Sequence, residues 1–163
     1  MLSEQAETVL AVLKAAHIEY HLEEHNPVYT IDEMAALGLP DGDAVAKNLF
    51  LRDDKKRTYY LVVVRQEKTV NLKALRQTLG TRPLSFASED DLWKYVKLTK
   101  GAVTPFGALN DETKSVVVVF DKSFLGKPIA VHPNDNRASV WMQADDLVRL
   151  IKVHGNPVVV AEI

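Results

Sequence analysis

Val45-Ala46-Lys47-Asn48-Leu49-Phe50-Leu51, followed by Asp53-Asp54-Lys55-Lys56 and then Tyr59-Tyr60-Leu61-Val62-Val63-Val64, is the stretch on which the fold turns. Two apolar runs of strand length around a charged turn predict an antiparallel hairpin, and the second run reads as the centre of a sheet. Upstream, Ser3 precedes Ala6, Val9, Leu10, Leu13 and Ala16 at helical spacing, so a first helix ends near Ala16 or His17. Ile18, Tyr20 and Leu22 then alternate with Glu19, His21 and Glu23, the pattern of a half-buried strand. Thr30 and Glu33 form a capping box for a short helix from Ile31 to about Leu37, stopped at Gly38 and followed by a loop over Leu39 to Asp43.

Downstream, Leu72, Leu75 and Leu79 predict a helix closed by Gly80, and Ser88-Glu89-Asp90-Asp91 opens another through Trp93 and Val96. Val116–Phe120, Ile129–His132, Ser139–Met142 and Val158–Ala161 read as strands, and Leu147, Leu150 and Ile151 mark a late helix. Strands joined by short turns, and helices out of strict alternation with strands, give a mixed α/β (α+β) class with a central mixed, largely antiparallel sheet flanked by short helices. A doubly wound nucleotide fold is disfavoured, and no glycine-rich phosphate fingerprint is present.

The 163 residues fit one domain over 1–163, with no repeat, linker or low-complexity segment. Hydrophobic residues make up 47% and charged residues 26%, a balance typical of soluble globular chains, and no apolar run reaches the roughly 20 residues of a membrane span. The N-terminus lacks the pattern of a secretory signal, and with no cysteine there is neither disulfide nor thiolate chemistry; a cytoplasmic address is the expectation. The net charge of -2 conceals an uneven distribution. Residues 1–46 carry one basic against nine acidic side chains, residues 47–100 thirteen against six, and residues 101–163 six against seven. A basic middle third suits a focused phosphate-binding surface on part of a polyanion; scattered solvated charge is the plainer explanation.

Three segments carry candidate chemistry. Lys47 lies inside an apolar strand, in phase with Val45, Leu49 and Leu51. It either meets an anionic or carbonyl partner or snorkels out from the strand end, and periodicity alone does not choose. Gly101-Ala102-Val103-Thr104-Pro105-Phe106-Gly107 is an uncharged loop whose main-chain N–H groups could hold a developing oxyanion, although a structural turn is the commoner origin of such a pattern. Val131-His132-Pro133-Asn134-Asp135-Asn136 ends a strand with polar groups, yet no serine stands in a nucleophile elbow. His17, His21 and His25 fall four apart, but the strand pattern and Asn26-Pro27 break any helix that would align them. They read as surface or capping groups, with no metal site expected.

Lys47 to Lys55, the loop Gly101 to Gly107 followed by Asn110-Asp111, and His132-Pro133 with Asn136 closely resemble the YbaK/prolyl-tRNA-synthetase-associated editing domains over nearly the whole chain. Leu84-Ser85-Phe86-Ala87-Ser88 and Val103-Thr104-Pro105-Phe106 are most similar to its free-standing Ala-tRNA(Pro) deacylase branch, of the ProXp-ala or PrdX type. The resemblance implies an aminoacyl-tRNA hydrolase without cofactor or metal. Its substrate would be the ester joining alanine to the terminal ribose of tRNA(Pro), attacked by a water helped by the ribose hydroxyl. Such an activity has a physical rationale. A pocket that accepts proline excludes the smaller alanine only by lost contacts, about 1–3 kcal/mol per methylene, and a second, smaller pocket restores fidelity.

The resemblance further implies that Lys47 sits near the terminal phosphate or ester, that Gly101 supplies main chain at the scissile carbonyl, and that His132 shapes or polarises the aminoacyl pocket. Asn48, Ala102, Val103, Thr104, Pro105 and Asn136 would line that pocket. Arg52, Lys55, Lys56, Arg57 and Arg82 would contact the acceptor stem. Prolyl-tRNA synthetase or an elongation factor is a candidate docking partner, with no role for DNA or a membrane. The chain departs from the branch at Ala102, where serine is usual, and at Ser139, where threonine is usual. Cys-tRNA(Pro) as substrate and a catalytically silent tRNA- or partner-binding module are the alternatives.

Overall fold

The computed structural model describes residues 2–27, 32–33 and 44–163. The short helix expected after Ile31, its capping box and the loop to Asp43 lie outside these, apart from Asp32 and Glu33. Helix α1 (Glu4–Ala15) is capped by Ser3, whose hydroxyl accepts from the Ala6 N–H at 3.1 Å, and it buries Ala6, Val9, Leu10 and Leu13. The chain reverses at His17 (φ +57°) into β1 (Tyr20–Glu24). The deciding hairpin follows as β2 (Ala46–Asp53) and β3 (Tyr59–Arg65), in antiparallel register with Lys47 opposite Val64 and Leu51 opposite Tyr60. Its charged turn is organised by Asp53. That carboxylate is 4% exposed and accepts the N–H groups of Lys55 and Arg57 at 3.1 and 2.9 Å.

Asn71 caps α2 (Leu72–Leu79) and Gly80, at φ +64°, closes it; Ser88 caps α3 (Glu89–Val96). Between them Leu84–Phe86 forms β4, which pairs antiparallel with the end of β2. That strand is not legible as one, since its three residues gain strand geometry only from their partner. A 3₁₀ turn (Pro105–Asn110), β5 (Val117–Asp121), a one-turn 3₁₀ segment (Lys122–Phe124), β6 (Pro128–Val131), β7 (Ala138–Gln143), α4 (Ala144–His154) and β8 (Val158–Ala161) complete the order.

The strands form two sheets. One has five strands in the order β4-β2-β3-β5-β8, antiparallel at β4-β2-β3 and parallel at β3-β5-β8. The other, β1-β7-β6, is antiparallel throughout. The fold is thus mixed α/β as expected, with antiparallel pairings in the majority, but the sheet is divided. The larger core lies between the sheets and α1, α3 and α4, and includes Phe50, Phe106, Phe120, Phe124, Leu13, Ile129 and Leu147. The far face of the five-stranded sheet buries Leu51, Val62, Val64, Leu75 and Val119. This is why β3 is hydrophobic and buried from Tyr59 to Val64: it is covered on both sides. Among the described residues a single parallel bridge, Val45 to Ala130, joins the sheets, and Asn48, the glycine-bounded loop and His132 gather around that seam.

Candidate active site

Adjacent strand residues point to opposite faces, so Lys47 and Asn48 part company at the seam. Asn48 shares a face with Ala46 and Phe50, and its side-chain N–H donates to the Val103 carbonyl at 3.1 Å, fastening the glycine-bounded loop to β2. The loop turns at Gly101, at φ +85°, a conformation that suits glycine. Thr104 fixes its other end. The Thr104 hydroxyl donates to the His132 carbonyl at 2.5 Å and accepts from the Phe106 N–H at 3.4 Å, capping the 3₁₀ turn. Gly107 is glycine for space, because a Cβ there would lie 2.5 Å from Leu98 Cδ1 and 3.3 Å from Val96 Cβ.

Loop and histidine are thereby one unit. His132 Nδ1 lies 2.8 Å from the Ala138 carbonyl oxygen. A carbonyl only accepts, so the proton resides on Nδ1 and Nε2 is a bare acceptor. Burial lowers the His132 pKa below the ordinary imidazole value, and the neighbouring His25 pushes the same way against the Ala138 hydrogen bond. The ring is therefore neutral near pH 7. His25 lies 6.0 Å from His132 between ring centroids. Its Nδ1 meets the Asn26 carbonyl at 2.8 Å and its Nε2 the Ser139 hydroxyl at 2.9 Å. The His132 loop is pinned from beneath by Asp135, which takes the Arg137 guanidinium at 2.9 and 3.0 Å and the Ser3 N–H at 3.1 Å.

The residues expected from sequence fall into three groups. Asn48, Val103, Thr104 and His132 are brought together, with Gly101 and Ala102 half-buried beside them. Thr104 and Pro105 are buried and hold the loop in place; neither is open to a ligand. Asn136 is half-buried on the same loop as His132. Lys47 is not brought to the loop. It is half-buried on the face of Leu49 and Leu51, where its ammonium donates to the Lys68 carbonyl oxygen; Lys68 in turn pairs with Asp121 at 2.6 Å. The idea of an ammonium converging with the glycine-bounded turn is thus not met in this structure, because strand alternation sends it the other way.

The basic set sits at the far end of the hairpin. Lys55, Lys56 and Arg57 are exposed, and Arg52 is half-buried with a guanidinium N–H on the Asp53 carbonyl at 2.9 Å. Arg82 forms a two-pronged pair with Asp54 at 2.6 and 3.1 Å, which lowers the Asp54 pKa. An open cleft lined by Asp54, Thr58, Arg76, Thr81 and Arg82 adjoins this pair.

Sequence reasoning missed His25 and Ser139. His25 reads as a surface or capping group, but the antiparallel pairing of β1 with β7 brings it beside Ser139, 114 residues away. The signal available was Ser139 itself, a polar residue in an apolar strand. Asn110-Asp111, quoted as part of the motif, is structural: Asp111 accepts from Val116 N–H at 2.9 Å and from Asn156 at 3.0 Å. Among the described residues no group of three His, Asp or Glu is placed to hold a metal.

A fold of two sheets with a tethered glycine loop, a fixed neutral histidine and a basic hairpin defines a class that the comparisons name. The aminoacyl-tRNA editing domain model matches residues 25–150, and the chain belongs to that family. Among its relatives is the prolyl-tRNA editing protein ProX of Acetoanaerobium sticklandii, 52% identical over 151 residues that make up 92% of each chain. The prolyl-tRNA synthetase associated domain-containing protein 1 of Mus musculus is 33% identical over 88% of each chain. A solved structure with a suggested trans-editing role for prolyl-tRNA synthetase shares the fold, with TM-score 0.74 at 22% identity over 100% of this chain and 99% of that one.

Proposed function

We propose that this aminoacyl-tRNA editing enzyme acts in trans on tRNA(Pro) that carries alanine, hydrolysing the ester and sparing Pro-tRNA(Pro). Support comes from the ProX relative, a prolyl-tRNA editing protein by name, and from the site's own chemistry. The observation that carries the mechanism is the linkage of the loop, through Thr104, to a histidine whose Nε2 is unprotonated.

In the reaction a water attacks the ester carbonyl carbon and the bond to the ribose oxygen breaks. Alanine leaves as its carboxylate; of the water's two protons, one goes to the ribose oxygen and the other is released to solvent. The tetrahedral intermediate is an oxyanion and calls for preorganised donors. Ala102 N–H is already committed to the Thr99 carbonyl at 3.1 Å, so the neighbouring N–H groups of Gly101 and Val103 are the candidates. His132 Nε2 accepts a proton from water or orients the substrate through an N–H or O–H, a role that needs the neutral ring. Asn48 contributes its Oδ1, which is buried without a hydrogen-bond partner among the described residues. A substrate donor such as the α-ammonium supplies that partner.

Lys47 keeps a place in this scheme only by moving: its ammonium lies on the face of β2 turned away from the loop, bonded to the Lys68 carbonyl, and must leave that partner. Exchanging the Lys68 carbonyl for the terminal adenosine phosphate delivers its charge to the ester. The hairpin cations lie about six residues further along β2, on the order of 20 Å away. Lys55, Lys56 and Arg57 there suit the acceptor stem beyond the reacting end, where phosphate contacts fix orientation. The test is metal-free deacylation of Ala-tRNA(Pro) by catalytic amounts of purified protein; survival of that ester at high enzyme concentration refutes the proposal.

A further inference from the structure

We propose that the cleft between α1, the 3₁₀ turn and the His132–Asn136 loop is a second binding site, one that takes a guanidinium or ammonium group on a short aliphatic stem. The cleft holds about 280 Å³, at the small end of ligand pockets. Asn134 lines it, is 8% exposed, and carries a buried carboxamide Oδ1 with no hydrogen-bond partner among the described residues. A buried acceptor left unpaired is unfavourable, and the left-handed backbone at φ +58°, which asparagine tolerates, fixes where that side chain starts.

The other polar lining groups ask for the same chemistry. The Thr8 hydroxyl hydrogen is committed to the Glu4 carbonyl at 2.9 Å, so lone pairs are what it has left to offer. Asn110 spends one N–H on the Val96 carbonyl at 2.9 Å and keeps its oxygen as an acceptor beside its second N–H. Glu4 adds a carboxylate, and the Gln5 amide can turn its oxygen inward. The walls between are Val12 and Leu109, with Val9 behind them. The Glu4 carboxylate disfavours an anion here, and a purely apolar guest leaves the acceptors unsatisfied. A cationic donor with an alkyl stem satisfies both surfaces at once. The source is a free small cation or the Arg or Lys side chain of another protein.

The experiment is a ¹H–¹⁵N titration of the full-length protein with n-butylguanidinium, with neutral n-butylurea as the shape-matched control. Saturable shifts at Thr8, Val12, Leu109 and Asn134, at least fivefold tighter for the cation, support the site. Equal affinity for the urea, or no saturable shift at those residues, overturns it. Asn134→Gly keeps the positive φ without strain and should weaken binding at least fivefold. Asn134→Asp tolerates the same φ and should strengthen it severalfold. Glu4→Gln, an exposed change, should weaken it and stands in if Asn134→Gly fails to fold. Unchanged affinity in the folded variants overturns the assignment. An Arg-containing pentapeptide with blocked ends separates the sources: binding tenfold tighter than the free cation identifies a protein side chain, and equal or weaker binding identifies a free small cation.

Discussion

Replacing Asn48 with alanine separates the stability of the editing site from its chemistry. In the fold, the substitution removes one hydrogen bond, from Nδ2 to the Val103 carbonyl at 3.1 Å, worth about 0.5–1.5 kcal/mol net. It also removes the buried Oδ1 that has no partner, and so relieves a desolvation penalty of about 1–3 kcal/mol. The two terms oppose one another, and on these ranges the net runs from about 0.5 kcal/mol destabilising to about 2.5 kcal/mol stabilising. For a chain of this size the destabilising limit lowers Tm by no more than about 2 °C. Catalysis has no such compensation. If Oδ1 accepts from the substrate's α-ammonium, its loss forfeits a hydrogen bond to a charged group, about 1.5–3 kcal/mol, or roughly a 10- to 150-fold fall in kcat/KM. The assay is single-turnover release of labelled alanine from Ala-tRNA(Pro), alongside a thermal melt. Deacylation within twofold of wild type refutes the role of Asn48, and a loss accompanied by a melt lowered by 10 °C refutes the claim that the two effects separate.

Three further outcomes are expected. Thr104→Val removes the bond to the His132 carbonyl and the cap on the 3₁₀ turn, so stability should drop by about 1–3 kcal/mol in urea unfolding and deacylation should fall with it; an unchanged midpoint contradicts the tether. Lys47→Met should reduce kcat/KM at least tenfold while Lys47→Arg retains part of the activity, and a variant that loses only thermal stability identifies Lys47 as a structural tie to Lys68. Deacylation should stay level through pH 6.5 and decline only at lower pH, where the buried ring takes its proton. His132 has a folded pKa lowered by burial, so the unfolded chain binds the proton first as pH falls, and stability is also lost from about 6.5 downward. A rate that rises on acidification, measured with the ester's spontaneous hydrolysis subtracted, contradicts a neutral catalytic imidazole.

The hairpin was legible because strand periodicity is local: the apolar runs at Val45–Leu51 and Tyr59–Val64 are β2 and β3 within two residues. Caps at Ser3 and Ser88 and the stop at Gly80 were readable for the same reason, each being a side chain or a left-handed turn acting within four residues. What could not be read is long-range pairing. The division into two sheets rests on β1 finding β7 across more than a hundred residues, and that pairing creates the His25–Ser139–His132 cluster. The direction of the Lys47 side chain was equally hidden. Periodicity put it in phase with Leu49 and Leu51, and the structure confirms that face, but only the position of Lys68 shows which carbonyl the ammonium meets. The resemblance implies a pocket role for Thr104, whereas its hydroxyl serves the main chain of another segment, a use that no local pattern announces.

The most direct measurement is the initial rate of amino-acid release when one tRNA(Pro) preparation, charged in turn with alanine, cysteine, serine and proline, meets catalytic amounts of the purified protein. Hydrolysis of the alanyl ester well ahead of the others, with the prolyl ester left intact, is the predicted result. Prolyl and alanyl esters lost at equal rates, or both retained, contradict an editing pocket sized for the smaller amino acid.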